Sequence, residues 1–312
     1  MVRQRSAKPL FAGSIPAVAS NLRLPVPPHF SFQNTVESHG WYLLAPFRWD
    51  RKAKVLRRAE AIDGVVYDLE IRFRRNALDV NVAAGCSPPE LEARLSRMFQ
   101  LGVDTSEFIA LAGESPSHKW VVEAQFGRLL CSSTLFEDIV KIIATTNTTW
   151  NQTKRMVELL VEKCGARSPE GFAAFPTPHD ILRFSAGELQ DACRLGYRAK
   201  SVHVLASGVA SGAIDLERIS DPAQSTEGLF SSYKTLPGIG PYGAAHLLAM
   251  DGRHDFIAVD TEFRRFVRET YHKGRRVADK TMLRRYAKWG RWKYLAYWSE
   301  LWSSVAERLQ PR

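Results

Sequence analysis

Two short stretches of this 312-residue sequence combine residue types and spacing that can do chemistry. The first, Leu-Pro-Gly-Ile-Gly at 236–240, places two glycines around Ile239 immediately before an apolar run. The second, Val-Asp-Thr at 259–261, places Asp260 before a segment rich in arginine. A glycine turn in front of a helix exposes main-chain N–H groups to an anion. A carboxylate held at a helix start can stabilise developing positive charge or activate a water.

The glycine stretch predicts a helix, a tight turn and a second helix. The letters STEGLFSSYKT before it and PYGAAHLLAM after it both suit helices, and Pro241 suits a first turn. The first amides of the second helix have no intrahelical acceptor, and the helix dipole is positive there. We therefore expect a nucleic-acid phosphate at Gly238, Ile239, Gly240 and Pro241. An ordinary helical hairpin, with glycines that only allow close packing, is the alternative.

The composition favours a polyanionic partner. The formal net charge is +10 and the isoelectric point is about 9.6, although basic residues can also form simple solvated faces. The four cysteines are far apart in sequence and form no Cys-x-x-Cys pair, which argues against a zinc site, an iron–sulfur cluster or a disulfide framework. No apolar run is long enough to span a membrane.

Two regions with different periodicity must position these residues. Residues 37–116 are predicted to form an α+β domain, with strands at GWYLLAPF, VVYDLEIRF and ALDVNVAA and a helix at PPELEARLSRMFQLG. Residues 117–312 have apolar positions at helical spacing almost throughout. The predicted fold class is α+β, with a small N-terminal antiparallel sheet followed by a mostly helical core of two subdomains.

The first 36 residues differ from the rest of the chain. They contain no acidic residue, several basic residues, and many small residues and prolines. A disordered basic tail, an organelle transit peptide and an upstream start-site artefact all fit this composition. We expect residues 1–36 to be a tail or targeting segment outside the fold.

The hairpin and the aspartate together resemble a known signature. Leu-Pro-Gly-Ile-Gly followed about twenty residues later by Val-Asp-Thr resembles the helix-hairpin-helix–Gly/Pro–Asp (HhH-GPD) signature of base-excision DNA glycosylases. In that family the carboxylate, here Asp260, stabilises the oxocarbenium-like deoxyribose and orients water. The alternative, a plain N-cap worth about 1 kcal/mol, is compatible with this role because capping fixes the carboxylate. Bifunctional members place a lysine where this chain has Tyr242, so the resemblance implies no lysine-dependent cleavage of the strand.

A wider resemblance covers most of residues 40–302. The helix after the sheet, the segment from 173 to 216, the hairpin and the tryptophan-rich end resemble, in this order, bacterial 3-methyladenine DNA glycosylase II (AlkA-type) enzymes. The resemblance implies a cleft between two helical subdomains, a double-stranded DNA partner with a damaged base, and a monomer. It implies no required metal cofactor and no iron–sulfur cluster. A monovalent cation on the carbonyls of Lys234, Leu236 and Gly238 is a further expectation from it.

The resemblance also implies a base pocket. Tyr242, His246 and Trp292 fall at positions that the family fills with aromatic residues. Electron-rich rings suit an alkylated purine, because methylation at N3 or N7 leaves a cationic base. Helix-packing core is the alternative for Trp292. His246 departs from the family pattern and is either a hydrogen-bond donor to another base or a core histidine.

Two further residues are expected to contact DNA. Asn147, in the polar stretch ATTNTTWNQ, matches the residue that the related 8-oxoguanine branch inserts into the gap left by a flipped nucleotide. A polar loop between helices is the alternative. Arg264, on the helix after Asp260, is expected to meet the phosphate backbone.

Three functions remain open from the sequence. The first is a monofunctional glycosylase for alkylated purines. The second is the same scaffold acting on another lesion, such as 8-oxoguanine, uracil or a deaminated base. The third is a non-enzymatic protein that recognises DNA damage. The expected location is the cytoplasm or nucleoid in a bacterium, and the nucleus or an organelle in a eukaryote.

Overall fold

The computed structural model describes residues 19–83 and 85–309 and contains one five-stranded antiparallel sheet. The sheet has the order β1-β5-β4-β3-β2. Its strands are β1 (Ala19–Pro25), β2 (Arg48–Asp50), β3 (Val55–Ile62), β4 (Val65–Arg74) and β5 (Ala77–Ala83).

Helices make up most of the remaining described chain. They are α1 (Phe32–Val36), α2 (Pro88–Met98), α3 (Ser106–Glu114), α4 (Lys119–Ala124), α5 (Leu135–Thr145), α6 (Trp150–Cys164), α7 (Pro178–Ile181), α8 (Ala186–Ala192), α9 (Arg198–Ala210), α10 (Leu216–Ile219), α11 (Thr226–Tyr233), α12 (Pro241–Met250), α13 (Thr261–Tyr271), α14 (Asp279–Arg284) and α15 (Lys293–Leu309). The predicted α+β fold class is confirmed. Within the described residues, each helix is too short or too polar to cross a membrane.

The N-terminal boundary at residue 36 is wrong. Strand β1 pairs with β5 from Ala19↔Ala83 to Pro25↔Ala77, and α1 buries Phe32 and Val36 in the core. Residues 19–36 therefore belong to the fold, and the part of the predicted tail at 1–18 lies outside the described residues.

The segment GWYLLAPF is also not a strand. It forms a 3₁₀ turn over Gly40–Leu43 and then continues as a connection to β2. Its apolar residues are explained by burial, since Trp41, Leu44 and Phe47 all point into the core. The predicted strands at residues 65–73 and 77–84 are confirmed as β4 and β5, and the predicted helix with Leu91, Leu95 and Met98 on its buried face is α2.

Two large apolar cores hold together the part of the chain that the structure describes. The larger one joins the inner face of the sheet to α2, α5, α6 and the helices up to α12. The smaller one joins α3 and α4 to the C-terminal helices α13–α15. Helix α3 therefore packs with the end of the chain, and the predicted domain boundary at residue 116 does not follow the packing.

A buried cluster of charges joins the sheet to the first core helix. Arg58 on β3 bonds Glu137 on α5 at 2.8 Å, and Lys141, one turn further along α5, bonds Glu137 at 2.7 Å. Glu60 pairs with Arg58 at 2.7 Å from the same strand. These four residues are at most 2% exposed, so the pairs are shielded from water.

Candidate active site

The hairpin connects α11 to α12 through residues 234–240. Gly238 has φ +78°, and a Cβ there would lie 2.9 Å from Ser201 Cβ, so both backbone and packing require glycine. Gly240 has φ −98° and caps α12, and a Cβ there would meet no atom of the described chain within 4 Å. The fold itself gives no steric reason for glycine at Gly240. An external group approaching the backbone would supply that reason.

The start of α12 has the electrostatics of an anion site. Pro241 occupies the first helical position, and the next amides, those of Tyr242 and Gly243, precede the first intrahelical bond, which runs from Ala244 N to Gly240 O at 2.9 Å. Ile239 is buried and anchors the turn, while Gly238 and Gly240 are exposed. The exposed turn and the positive helix end thus lie together, as predicted.

The hairpin also contains the three carbonyls predicted to hold a monovalent cation. The Leu236 carbonyl accepts the Ile239 N–H at 3.1 Å and keeps a second lone pair. Lys234 and Gly238 supply the same donor type, and backbone carbonyls are the ligands that replace water around potassium ions. The donor chemistry therefore fits such an ion.

Asp260 is the N-cap of α13. Its backbone is extended, with φ −123°, and its Oδ1 accepts the Phe263 N–H at 2.6 Å. The N-cap interpretation is therefore confirmed. The carboxyl group is half-buried, and burial raises its pKa although the hydrogen bond from Phe263 N–H acts in the opposite direction. The catalytic role of Asp260 stays a prediction.

Asp260 adjoins a set of rings that we call the aromatic cluster, defined by His39, Tyr242, His246, Tyr294 and Trp298. The Tyr242 and His246 rings are 4.5 Å apart, the His246 and Tyr294 rings 6.0 Å, and the Tyr294 and Trp298 rings 5.8 Å in a parallel stack. The His39 ring meets Trp298 edge-on at 6.5 Å. Burial and then the charge of nearby Asp260 raise the pKa of Tyr242 to about 12.

The N-terminal region closes one side of this cluster. Trp298 Nε1–H donates to the Ser38 carbonyl at 2.8 Å, across 260 residues of sequence. His39 Nε2–H donates to the Leu130 carbonyl at 2.7 Å. Burial lowers the pKa of both His39 and His246 to about 4, so both rings are neutral at physiological pH. The sequence patterns gave no signal for Tyr294, Trp298 or His39 as neighbours of Asp260.

Trp292, which was also predicted to line the base pocket, lies outside the aromatic cluster. Its ring is buried against Phe108 at 5.8 Å and stacks on His254 at 5.5 Å. Its Nε1–H donates to Glu107 at 2.9 Å. This environment favours the alternative that the sequence leaves open for Trp292, a residue of the helix-packing core. The ring that joins Tyr242 and His246 is Tyr294, which lies two residues later.

Asn147 is at the exposed tip of the loop between α5 and α6. It has φ +46°, and its Nδ2–H donates to the Tyr197 hydroxyl at 3.3 Å. Tyr197 is 62% exposed, an unusual position for an aromatic side chain. Arg198 fixes the loop backbone through two hydrogen bonds. Its Nε donates to the Thr146 carbonyl at 3.0 Å, and its Nη2 donates to the Asn147 carbonyl at 3.2 Å. The loop interpretation of Asn147 is confirmed, and insertion into DNA stays a prediction.

Arg264 is already paired within the chain. Its guanidinium makes two hydrogen bonds of 2.9 Å to the Asp279 carboxylate on α14. Both side chains are close to half exposed, so the pair stays accessible to a phosphate. Among the described residues, no three His, Cys, Asp or Glu side chains come together as a metal site.

Comparisons with known proteins agree with this architecture. Residues 140–291 match the family model described as HhH-GPD superfamily base excision DNA repair protein. MBOgg1 in complex with a low-affinity DNA ligand is similar with a TM-score of 0.71 and 20% identity, over 92% of this chain and 96% of that one. The 8-oxoguanine glycosylase/lyase of Clostridium acetobutylicum, in complex with double-stranded DNA, gives a TM-score of 0.69 and 19% identity, over 90% and 93%.

A third solved structure names a different lesion. The 3-methyladenine DNA-glycosylase of Archaeoglobus fulgidus gives a TM-score of 0.71 and 20% identity, over 90% of this chain and 98% of that one. At about 20% sequence identity, these similarities show a shared fold and no more. No curated protein sequence matches the chain.

Proposed function

Because residues 140–291 match the family model of HhH-GPD superfamily base excision DNA repair proteins, we propose that the chain is a monofunctional DNA glycosylase that removes alkylated purines. The observation that carries the proposal is the position of Asp260 at the start of α13. It caps Phe263, whose ring packs against Tyr297, the direct neighbour of the Tyr294 and Trp298 rings of the aromatic cluster. A base flipped into the cluster would place its deoxyribose next to a fixed carboxylate. That carboxylate stabilises the positive charge that develops as the N-glycosidic bond breaks.

Each predicted element has a part in this reaction. The hairpin amides at Gly240 and Tyr242 bind a backbone phosphate and set the register of the duplex. Asn147 enters the gap left by the flipped nucleotide, and the exposed Tyr197 ring beside it stacks on a neighbouring base. The protein acts as a monomer and needs no metal for the chemical step. A monovalent cation at the hairpin carbonyls would only support phosphate binding.

Water is the nucleophile in this proposal. Tyr242 stands where bifunctional relatives carry a lysine, and a phenol cannot form a Schiff base. The nearest lysine in sequence, Lys234, lies before the turn, with its ammonium 5.3 Å from the Phe230 ring. The electron-rich face of Tyr242 favours a cationic methylated base over a neutral one.

The decisive experiment measures free-base release from methylated duplex DNA by chromatography. Asp260→Asn is a well-matched variant, because asparagine is also a good N-cap and should leave α13 intact. We expect the wild type to release methylated purines and the variant to be at least 100-fold slower. Equal release by both proteins would contradict the role of Asp260. Release only from duplexes with other lesions would contradict the alkylpurine assignment.

A further inference from the structure

His246 carries a buried polar atom that nothing in the described part of the chain satisfies. Its Nε2 has no hydrogen-bond partner and is shielded from solvent by the protein. A buried polar group without a partner costs free energy, and in a folded protein it needs an explanation. Here the atom belongs to the aromatic cluster beside Asp260, between the rings of Tyr242 and Tyr294. A ligand entering the cluster is a natural partner for it.

The neighbouring hydroxyl determines which nitrogen of His246 carries the proton. The Tyr294 hydroxyl lies 3.4 Å from His246 Nδ1, and no other partner for this hydroxyl is found among the described residues. If Nδ1 carried the proton, the Tyr294 O–H would have no acceptor. If the Tyr294 O–H donates to Nδ1, both groups are satisfied and the proton is on Nε2. His246 therefore presents an N–H donor to the cluster.

The ring also carries no charge when it does so. Burial, reinforced by the nearby His39, lowers the pKa of His246 to about 4. A neutral donor does not repel a cationic base, whereas an imidazolium would. The cluster can therefore combine ring stacking on a methylated base with one directed hydrogen bond.

We propose that His246 is the specificity-determining residue of the base pocket and that its Nε2–H donates to the carbonyl oxygen of a 6-oxopurine lesion. This inference rests on the proposed glycosylase function. A purine of guanine or hypoxanthine type presents a strong oxygen acceptor at C6. An adenine-type lesion presents an amino group there, which would face the His246 donor and leave it unpaired. Sites built around such a bond discriminate strongly against bases that lack the partner group.

The test compares two methylated bases that differ at C6. Duplexes carry 7-methylguanine, which has the oxygen, or 3-methyladenine, which has the amino group, and base release is measured under single-turnover conditions. We expect His246→Phe, which keeps a ring without a donor, to slow 7-methylguanine release about 10- to 100-fold and 3-methyladenine release less than 3-fold. His246→Gln, which retains an N–H donor, should recover most of the 7-methylguanine rate.

Tyr294→Phe tests the positioning of the proton. Without the hydroxyl the His246 tautomer is no longer held, so this variant should slow 7-methylguanine release more than 3-methyladenine release. Equal effects of His246→Phe on both bases, or none on either, would overturn the specificity role and leave the glycosylase function standing. No release of any lesion by the wild type would overturn both.

Discussion

His254 has an environment that makes it an informative single residue. Its ring is stacked between Trp292 at 5.5 Å and Tyr294 at 6.0 Å, and it is 1% exposed. Neither ring nitrogen has a partner in the described part of the chain. Burial lowers its pKa to about 3. The protein therefore contains a histidine that contributes stacking at the expense of two unsatisfied polar atoms.

We expect His254→Phe to stabilise the protein. The new ring keeps the stack and removes the unsatisfied nitrogens, for a gain of about 1–2 kcal/mol in the free energy of unfolding at pH 7. The unfolded chain binds a proton at His254 below about pH 6.5, while the folded chain binds it only near pH 3. The wild type therefore loses stability relative to the variant between these values, by about 1.4 kcal/mol for each pH unit. Urea unfolding at pH 7 and pH 5 measures both effects, and a variant less stable than wild type at pH 5 would contradict them.

The sequence located only some of the residues around Asp260. Tyr242 and His246 are four positions apart on one predicted helix, so a shared face followed directly from helical spacing. The third ring could not be chosen in the same way. Five tryptophans and tyrosines lie within residues 289–298, and the backbone between them is interrupted at Gly290, which has φ +54°. The sequence does not reveal this break, so helical spacing alone could not decide which of these rings lies beside Tyr242 and His246.

At the scale of elements, substitutions at the two hairpin glycines should separate a role in folding from the proposed role in phosphate binding. Gly240→Ala adds a methyl group into open space at an ordinary φ, so its melting temperature should stay close to that of the wild type. Its binding to damaged and undamaged duplexes should weaken together, about 3- to 10-fold, because the methyl group obstructs phosphate approach. Fluorescence anisotropy at several salt concentrations provides the measurement.

Gly238→Ala is the contrasting variant. It forces alanine into φ +78° and against Ser201, so it should lower both stability and binding. If Gly240→Ala bound all duplexes like the wild type, a role for this backbone in contacting phosphate would be contradicted. A change in lesion preference alone would contradict it equally.

Strands β1, β2 and β3 were not predicted, and charged residues explain why β1 and β3 were missed. Strand β3 reads VLRRAEAI, and its Arg58 and Glu60 are buried in the ion cluster, so the usual alternation of apolar and polar residues is lost. Strand β1 lies in a segment without acidic residues, which resembles a tail in composition. Its partner is β5, more than fifty residues later, and pairing over that distance leaves no local signal. The helices were easier to predict, because the apolar residues that mark a helix lie close together in the sequence.

At the scale of the whole molecule, the buried cluster of charges around Glu137 links the sheet to the helical core. We expect Glu137→Gln to lower the free energy of unfolding by about 3 kcal/mol, because Arg58 and Lys141 would keep their charges without a counter-charge. Glu158→Gln is the matched control. It breaks an exposed pair with Arg155 and should change stability by less than about 0.5 kcal/mol.

The pH dependence of the Glu137 effect has a definite sign. Burial alone would raise the pKa of Glu137, but Arg58 and Lys141 outweigh it and lower the pKa to about 2. The stabilisation that ionised Glu137 contributes to the folded state is therefore complete above about pH 4.5, and it declines as the pH falls toward 2. Urea unfolding of the wild type and Glu137→Gln should converge at low pH, and a constant difference from pH 7 to pH 3 would rule out a charge effect.

The hydrogen bond between Trp298 and Ser38 can form only late in synthesis relative to Ser38, because the two residues are far apart in the sequence. Ser38 is synthesised 260 residues before Trp298. At ordinary elongation rates the early region waits roughly 10–50 s for its partner. During that interval a nascent chain already contains the N-terminal wall of the cluster but lacks the rings that complete it. A ribosome-bound chain therefore completes the aromatic cluster only after Trp298 has been synthesised.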